Sequence, residues 1–547
     1  MSSEAGMKDA ELGLKEVELN EVDQEKLPMT AGLAGDTNGA VKGEKGEATP
    51  GSGLGVGPAT PAKFTGLSKD ELLAVASSPA WVRSRWLLLT LFWLAWLAML
   101  AGAVVIIVQA PRCRPLPPSP WWQRGGLYRI HSPAFQDSDG DGEGDLAGVS
   151  QRMEEVAALK VKGIIIGPIH QNVADVVNET RLNKIDSTFG TLEQMEKLLE
   201  VARRKGLKVI LDLTPNYKGK QKWFGINFNR TDGGQDVLKE KEAFQFWLKM
   251  GVDGLSVSGI EEVLTSAPHR VIEWQNLTKN FSGDDDPRIF IAGTAISENE
   301  EILQLLNRSD TDLFFSYYLR QILLASKPPV ARSVQQSVEN YIENCGKSWP
   351  SWALSGYEMG HMASSIQQHL HGLVHMMLFT LPGTPFIYYG DEIGLEDNQV
   401  NKGNAPWMLW NNSANGGFTS KPSFREAPLL NQTVQGQKSS PSPLSLFKKL
   451  SLLKIKERSL QFGEFQSVYS KGNVYGYTRV WDQSDRFLVL VNLDTQSAVV
   501  SLVDSSLPAK ASIELSSNTE RSEGQISLTD LHLNAGEGLL LNFPYVA

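Results

Sequence analysis

The densest group of potential metal ligands in this sequence lies in the stretch DSDGDGEGD, where aspartates recur at alternate positions among glycines. Carboxylate oxygens with this spacing are typical of calcium-binding loops. The stretch predicts a candidate structural calcium site, with an acidic solvated turn as the alternative, and we expect no other cofactor to be required. The four aspartates are Asp137, Asp139, Asp141 and Asp145.

The chain contains two thiols, Cys113 and Cys345. Two cysteines are too few for a disulfide framework, and their separation has no CxxC metal spacing. Cys113 follows closely after a long apolar segment that ends at Val108, so in an oxidising compartment its thiol could reach the end of a neighbouring helix. A bond to another chain and an internal bond to Cys345 are both open.

That apolar segment runs from Trp86 to Val108 without a charged residue. Its 23 residues span roughly 34 Å as a helix, enough for a hydrocarbon core of about 30 Å. We therefore expect one membrane crossing by a signal-anchor helix at residues 86 to 108. It is preceded by a largely disordered tail (residues 1 to 85), poor in large apolar residues, and followed by a neck (residues 109 to 120).

Glycosylation sequons indicate which side of the membrane each part occupies. Asn-x-Ser/Thr occurs only after the apolar segment, which favours a C-terminal domain outside the cell and a cytoplasmic tail, as in a type II plasma-membrane protein. With a formal net charge of −10 and no basic run, the 547-residue chain is not expected to bind nucleic acid. The sequons are Asn178, Asn229, Asn276, Asn280, Asn307, Asn411 and Asn431.

The extracellular part alternates short apolar stretches with helical patterns. GIIIGPI, LKVILDLTP, GVDGLSV and RIFIAG have the length of buried strands, and amphipathic stretches such as TLEQMEKLLEVARRKG lie between them. Repeated βα units predict an α/β fold with a parallel sheet, either open or closed into a barrel.

Longer motifs resolve that ambiguity through a resemblance. WWQRGGLYRIHSPAFQDSDGDGEGDLAGV, STFGTLEQMEKLLEVARRKGLKVILDLTPN, LPGTPFIYYGDEIG and NAPWMLWNNSANGGF are similar, in this order, to motifs of the α-amylase superfamily of glycoside hydrolases. The resemblance implies a (β/α)8 TIM barrel over residues 121 to 460, with its site at the carboxyl ends of the strands. Alternating, turn-punctuated strands predict an antiparallel β-sandwich domain over residues 461 to 547.

The carboxylates that the resemblance leads one to expect are missing. Retaining glycosidases need a nucleophile and an acid, but the fourth-strand nucleophile position holds Ser258 and the fifth-strand acid position holds Thr294. The third-strand pattern keeps Asp212 and Asn216 but ends in Tyr217, and Glu358 stands at the seventh-strand position. We therefore expect a degenerate homologue that is not an enzyme, with a membrane-anchored α-glucosidase as the alternative.

Only 45 residues separate Asp212 from Ser258, so the domain that active relatives insert there is absent. A single-pass, catalytically empty barrel of this layout is similar to the heavy chains of heteromeric amino-acid transporters, and the tail stretch ELGLKEVELNEVDQEKLP resembles the 4F2-type branch of that family. The resemblance implies a disulfide from Cys113 to a polytopic light chain of the L-type or a related group. It also implies association with integrin β subunits in adhesion signalling.

Overall fold

The computed structural model describes residues 68–109, 113–225, 238–283, 286–346, 348–397, 405–422, 427–439, 441–502, 507–518 and 521–545. The chain divides into two compact units, one up to Ala110 and one from Pro111 onward. The predicted disorder of residues 1 to 67 and the sequon at Asn229 lie outside the described residues.

The first unit contains two helices, α1 (Lys69–Ala76) and α2 (Pro79–Gln109). Ser68 begins α1 with a capping box in which its side chain and that of Glu71 bond each other's backbone amides. α2 has 31 residues, none of them buried, and its length and apolar composition suit a membrane span. It includes the predicted segment 86 to 108 and begins earlier, at Pro79, so the end of the predicted tail is helical.

The second unit begins with a nearly closed barrel of parallel strands in the order β8-β7-β6-β5-β2-β1-β10-β9, as defined below. A bridge between Leu313 and Trp349 links the two ends of this order. After β2, an antiparallel hairpin of β3 and β4 projects from the barrel. The strands are β1 (Leu127–Ile130), β2 (Gly163–Ile166), β3 (His170–Val173), β4 (Val176–Ile185), β5 (Lys208–Asp212), β6 (Gly254–Val257), β7 (Ile289–Gly293), β8 (Leu313–Phe315), β9 (Ser351–Ala353) and β10 (Thr384–Tyr388).

Amphipathic helices surround the barrel. In α6, for example, the apolar residues Met195, Leu198, Leu199 and Ala202 recur at the spacing of one helix face and are buried, while Thr191 caps the first turn. The helices are α3 (Ser132–Phe135), α4 (Leu146–Gln151), α5 (Met153–Ala158), α6 (Leu192–Arg204), α7 (Glu240–Met250), α8 (Ile260–Ser266), α9 (His269–Lys279), α10 (Asn299–Ser309), α11 (Tyr318–Leu324), α12 (Ala331–Asn344), α13 (His371–Thr380), α14 (Pro443–Lys456) and α15 (Arg458–Phe462).

The chain ends in an antiparallel domain whose strands begin at Glu464. A six-stranded sheet has the order β11-β12-β13-β18-β15-β16, and a separate pair joins β14 to β17. Leucines of β13, β17 and β18 share one hydrophobic cluster, so the pair covers one face of the sheet as in a small sandwich. The strands are β11 (Glu464–Lys471), β12 (Val474–Val480), β13 (Arg486–Asn492), β14 (Ala498–Val500), β15 (Lys510–Ser516), β16 (Gln525–Ser527), β17 (Leu531–Leu533) and β18 (Gly538–Phe543).

Two buried cations lie at the boundary between this domain and the barrel. Arg479 of β12 is 1% exposed and donates to the carbonyls of Thr380 and Gly463 (2.6 and 3.0 Å), while Lys454 donates to those of Leu381 and Leu460 (3.1 and 3.0 Å). These carbonyls lie at the C-terminal ends of α13 and α15, where helix carbonyls lack helical partners and favour cations. The two side chains thus satisfy both helix ends at the domain boundary.

Candidate functional site

The carboxyl ends of the barrel strands surround a cavity of about 410 Å³. Arg129 enters it from β1, Asp212 from β5, Ser258 from the end of β6 and Tyr388 from β10, while Glu358 follows β9. This is the end of a TIM barrel at which enzyme sites are built. The resemblance implied a site at this end, the mouth of the barrel, and its chemistry depends on what these side chains contact.

Hydroxyl residues occupy two catalytic positions of the resemblance. Ser258 lines the cavity, and its backbone amide donates to the Thr214 hydroxyl at 2.8 Å. Thr294, 1% exposed, donates its hydroxyl to Glu261 at 2.9 Å. Neither hydroxyl is an acid near neutral pH, so neither can protonate a leaving group or serve as the carboxylate nucleophile of this reaction class.

Three carboxylates line the mouth, those of Glu143, Asp212 and Glu358, and the largely buried Arg129 compensates the last two. Arg129 lies 3.6 Å from Asp212, and its guanidinium packs 4.2 Å above the ring of Phe315. Glu358 accepts a 2.6 Å hydrogen bond from the Tyr317 hydroxyl. Burial works against the charge of Arg129, yet Tyr317, Glu358 and Asp212 together raise its pKa. The arginine is therefore firmly cationic at the centre of the mouth.

The pKa values of the two acids differ in direction. Burial raises the pKa of Asp212, and the Arg129 charge and the hydrogen bonds from Thr214 offset this only in part. For Glu358 burial also acts upward, but Arg129 and the Tyr317 hydroxyl outweigh it and the pKa is lowered. Glu358 is thus the more strongly ionised of the two, which does not suit the role of a general acid held protonated near neutral pH.

The acids near the lost nucleophile lie elsewhere. Asp253 precedes β6, at the opposite end of the barrel from the mouth, and accepts from the Val209 amide and the Lys208 ammonium at 2.8 and 3.0 Å. Glu262 lies on α8 and accepts from the Trp223 amide at 3.1 Å. Each carboxylate accepts from a backbone amide of another segment, and neither lines the mouth cavity.

Residues of the third-strand pattern now support the β3–β4 hairpin. Asn216 donates to the Asp175 carboxylate at 2.9 Å and accepts from the Asp175 amide at 3.0 Å. Tyr217, in place of the family histidine, donates to the His170 carbonyl at 3.0 Å and contacts the His170 ring. The motif has become part of the packing around the mouth.

In the acidic loop, Asp137, Asp139 and Asp145 bring carboxylate oxygens within 4.8 Å of one another, and Asp141 is exposed outside this group. The Asp137 carboxylate accepts from the amides of Asp139, Gly140 and Gly142 and from the Thr419 hydroxyl. Since a carboxylate has about four lone-pair sites, these donors leave Asp137 little capacity for a cation. The loop as arranged fits a self-bonded acidic turn better than a calcium site, and the calcium prediction stays a prediction.

Cys113 is exposed and Cys345 is buried, and both are free thiols. Burial raises the pKa of Cys345 to about 12, which makes this thiol unreactive near neutral pH.

Among the predicted glycosylation sites, Asn178, Asn276, Asn280, Asn307 and Asn431 are exposed and Asn411 is half-buried. Glycan occupancy and the disulfide stay predictions.

The sequence reasoning missed Arg129 as a residue of the mouth. A charged residue in the apolar stretch LYRI was the available signal, because a cation on a barrel strand must either face solvent or be paired. Its partners are distant in sequence and meet only when β1, β5 and the segment after β9 converge.

Known proteins resemble this chain over most of its length, not only around the mouth of the barrel. The family description "Alpha amylase, catalytic domain" matches residues 129–237 and 227–461, and "Solute carrier family 3 member 2 N-terminus" matches residues 56–128. Among solved structures, a trehalose-6-phosphate hydrolase of Bacillus licheniformis superposes with a TM-score of 0.63 at 17% identity, covering 78% of this chain and all of that chain. This likeness supports the barrel and the domain after it.

Fold and family match together define a member of the α-amylase superfamily, confirming that resemblance. Amino acid transporter heavy chain SLC3A2 of Rattus norvegicus is 43% identical over 98% of this chain and 99% of that protein. Amino acid transporter heavy chain SLC3A1 of Homo sapiens is 26% identical over 87% of this chain. The chain belongs to the amino acid transporter heavy chain SLC3A2 family, the 4F2 type predicted from its tail.

Proposed function

We propose that this chain is the non-catalytic heavy subunit of a heteromeric amino-acid transporter. It is disulfide-linked through Cys113 to a polytopic light chain of the L-type or a related group, which it stabilises and delivers to the plasma membrane. The observation that carries the proposal is the 43% identity to a transporter heavy chain over nearly the whole length of both proteins. The match includes the membrane helix as well as the barrel.

The described helices indicate that this chain does not itself form the path for the transported amino acid. α2 is the one helix of the described residues that is long and apolar enough to cross a membrane. A solute path needs several helices around polar groups, so the conducting part belongs to the partner. The sequons after α2 favour a type II orientation with the barrel outside the cell.

Cys113→Ser should abolish the link to the partner. In cells that express the full-length chain, non-reducing gels should show a species larger than the chain alone, which collapses on reduction and is missing in Cys113→Ser. Cys345→Ser is the matched control, because Cys345 is buried and its loss should leave the larger species intact. A chain that runs alone under both conditions in the wild type would contradict the proposed link.

The mouth carboxylates favour the absence of turnover. Asp212 is paired with Arg129 and bonded by Thr214, and Glu358 is held ionised by the same arginine and by Tyr317. We expect no hydrolysis of p-nitrophenyl α-glucoside above that of Glu358→Gln. Hydrolysis by the purified chain that disappears in this variant would establish the membrane-anchored α-glucosidase instead.

Association with integrin β subunits stays a prediction from the family resemblance. Deletion of residues 1 to 85 removes helix α2's first residues together with the tail, so a deletion ending at residue 67 is the cleaner test. Adhesion signalling should fall in this deletion while amino-acid uptake is maintained. An equal loss of both would indicate a general effect on folding or delivery.

A further inference from the structure

The described part of the neck, residues 113 to 120, lies on the folded unit rather than extending from it. The backbone amide of Arg114 donates to the Asp482 carboxylate at 2.8 Å, and its guanidinium lies 3.5 Å from Glu464 and 5.5 Å from the centre of the Trp481 ring. Cys113 itself lies 3.9 Å from the side-chain oxygen of Gln483. Residues next to the cysteine thus contact the C-terminal domain, more than 340 positions later in the chain.

These contacts come from one corner of the C-terminal sheet. Glu464 begins β11 and pairs with Val480 at the end of β12, so the turn that follows, with Trp481 and Asp482, lies beside it. Trp481 is 8% exposed and packs against Phe462. The corner is therefore a fixed part of the domain rather than a loose loop.

The far end of the neck is fixed on the barrel. The Trp121 indole donates to the Pro287 carbonyl at 2.9 Å, just before β7, and Arg124 donates to the Ser119 carbonyl at 3.0 Å. Between the two attachments stand four prolines, which restrict the backbone to extended conformations and make a short segment semi-rigid. They are Pro115, Pro117, Pro118 and Pro120.

We propose that Asp482, together with Trp481 and Glu464, forms a clamp that holds the neck against the C-terminal domain. The clamp presents Cys113 at a fixed, exposed place for the partner cysteine. The inference deepens the proposed function and rests on it. Each exposed contact is weak alone, since surface ion pairs contribute little. The backbone hydrogen bond to a carboxylate, the packed indole and the stiff neck act together, and a held thiol meets its partner at a higher effective concentration than one on a free tether.

The bond itself forms by thiol–disulfide exchange with an oxidised dithiol oxidoreductase of the secretory lumen. The Cys113 thiol and the partner thiol each lose a proton and together transfer two electrons to the enzyme disulfide, which becomes two thiols. The clamp changes how often the two sulfurs meet, not the redox balance. Its effect should therefore appear in the rate at which the link forms.

A spin label tests the clamp without any partner. In the full-length Cys345→Ser chain in detergent, a nitroxide on reduced Cys113 should show restricted motion. Asp482→Gly, which keeps a residue suited to the positive φ of 43° at this position, should shorten its rotational correlation time by about threefold or more, as should Arg114→Ala. Asp485→Ala removes a nearby exposed carboxylate and should leave the spectrum unchanged. Equal spectra for wild type and Asp482→Gly would overturn the clamp.

The rate of linkage then connects the clamp to function. In a pulse-chase experiment with an L-type light chain co-expressed, Asp482→Gly should form the linked species about 3- to 10-fold more slowly, while Asp482→Asn, which keeps an acceptor oxygen, should stay near wild type. The melting temperature of the chain should not change. If Asp482→Gly and the wild type form the linked species at equal rates, this inference alone is refuted. If the wild type forms no linked species, the proposed function is refuted.

Discussion

Arg479→Met should lower the melting temperature of the folded unit from Pro111 onward by roughly 4 °C. The substitution leaves the Thr380 and Gly463 carbonyls buried without their donor, and unsatisfied buried groups of this kind cost about 1–3 kcal/mol each, or roughly 4 kcal/mol together. Because an unfolding domain of this size gains roughly 0.9 kcal/mol per kelvin of entropy at the midpoint, the shift in degrees is modest although the free-energy loss is large.

Differential scanning calorimetry of the purified full-length chain measures the shift. Arg458→Met is the matched control, because this arginine is exposed on α15 close to the same boundary, and its melting temperature should change by less than about 1 °C. Arg479→Lys keeps a cation near the carbonyls, so its melting temperature should lie between those of Arg479→Met and Arg458→Met. An Arg479→Met variant as stable as the control would mean that neither helix end depends on this side chain.

The sequence predicted the barrel because its strands and helices are marked locally. GIIIGPI, LKVILDLTP, GVDGLSV and RIFIAG became β2, β5, β6 and β7 within a few residues of the predicted ends. Burial on both faces of a parallel sheet requires such continuous apolar runs, so the signal is strong. Order and closure came from the resemblance, since periodicity alone is the same for open and closed sheets.

The candidate site was predicted only in part, for a physical reason. Ser258 and Thr294 were found by position within a motif, and the structure places Ser258 in the mouth. The compensation of Asp212 and Glu358 by Arg129 depends on contacts between residues from three separate strands or loops. Pairings of that kind carry no local pattern, and neither does the contact between Arg114 and Asp482.

Arg129→Met should destabilise the folded unit from Pro111 onward by about 3–5 kcal/mol near pH 7.5, because it leaves the buried Asp212 and the half-buried Glu358 without their cation. In the wild type, Glu358 has a lowered pKa, so its contribution to stability is present above the unfolded-state pKa and is lost only in acid, as the pH falls through the folded value. Without Arg129, burial should raise the pKa of both acids above their unfolded values of about 4. The native state of the variant then binds more protons than the unfolded state.

The free energy of unfolding that Arg129→Met loses relative to the wild type should therefore become smaller as the pH falls from 7.5 to 5. Urea unfolding at both pH values measures it, with Arg124→Met, a substitution of an exposed arginine on the preceding segment, as the control that should show no pH-dependent deficit. A deficit equal at both pH values would mean that the loss reflects packing against Phe315 rather than uncompensated charge.

Removing the two acids as well as Arg129 separates their role in folding from any direct role in the function of the heavy chain. The triple variant Arg129→Met/Asp212→Asn/Glu358→Gln has no ionisable carboxylate at these two positions of the mouth, and it should regain much of the stability lost in Arg129→Met because no buried charge is left unpaired. If the mouth serves packing alone, the proposed function requires the triple variant to form the linked species with a light chain and to deliver it to the cell surface as efficiently as the wild type. Normal folding with lost delivery would instead show that these charged groups act in the function of the heavy chain directly.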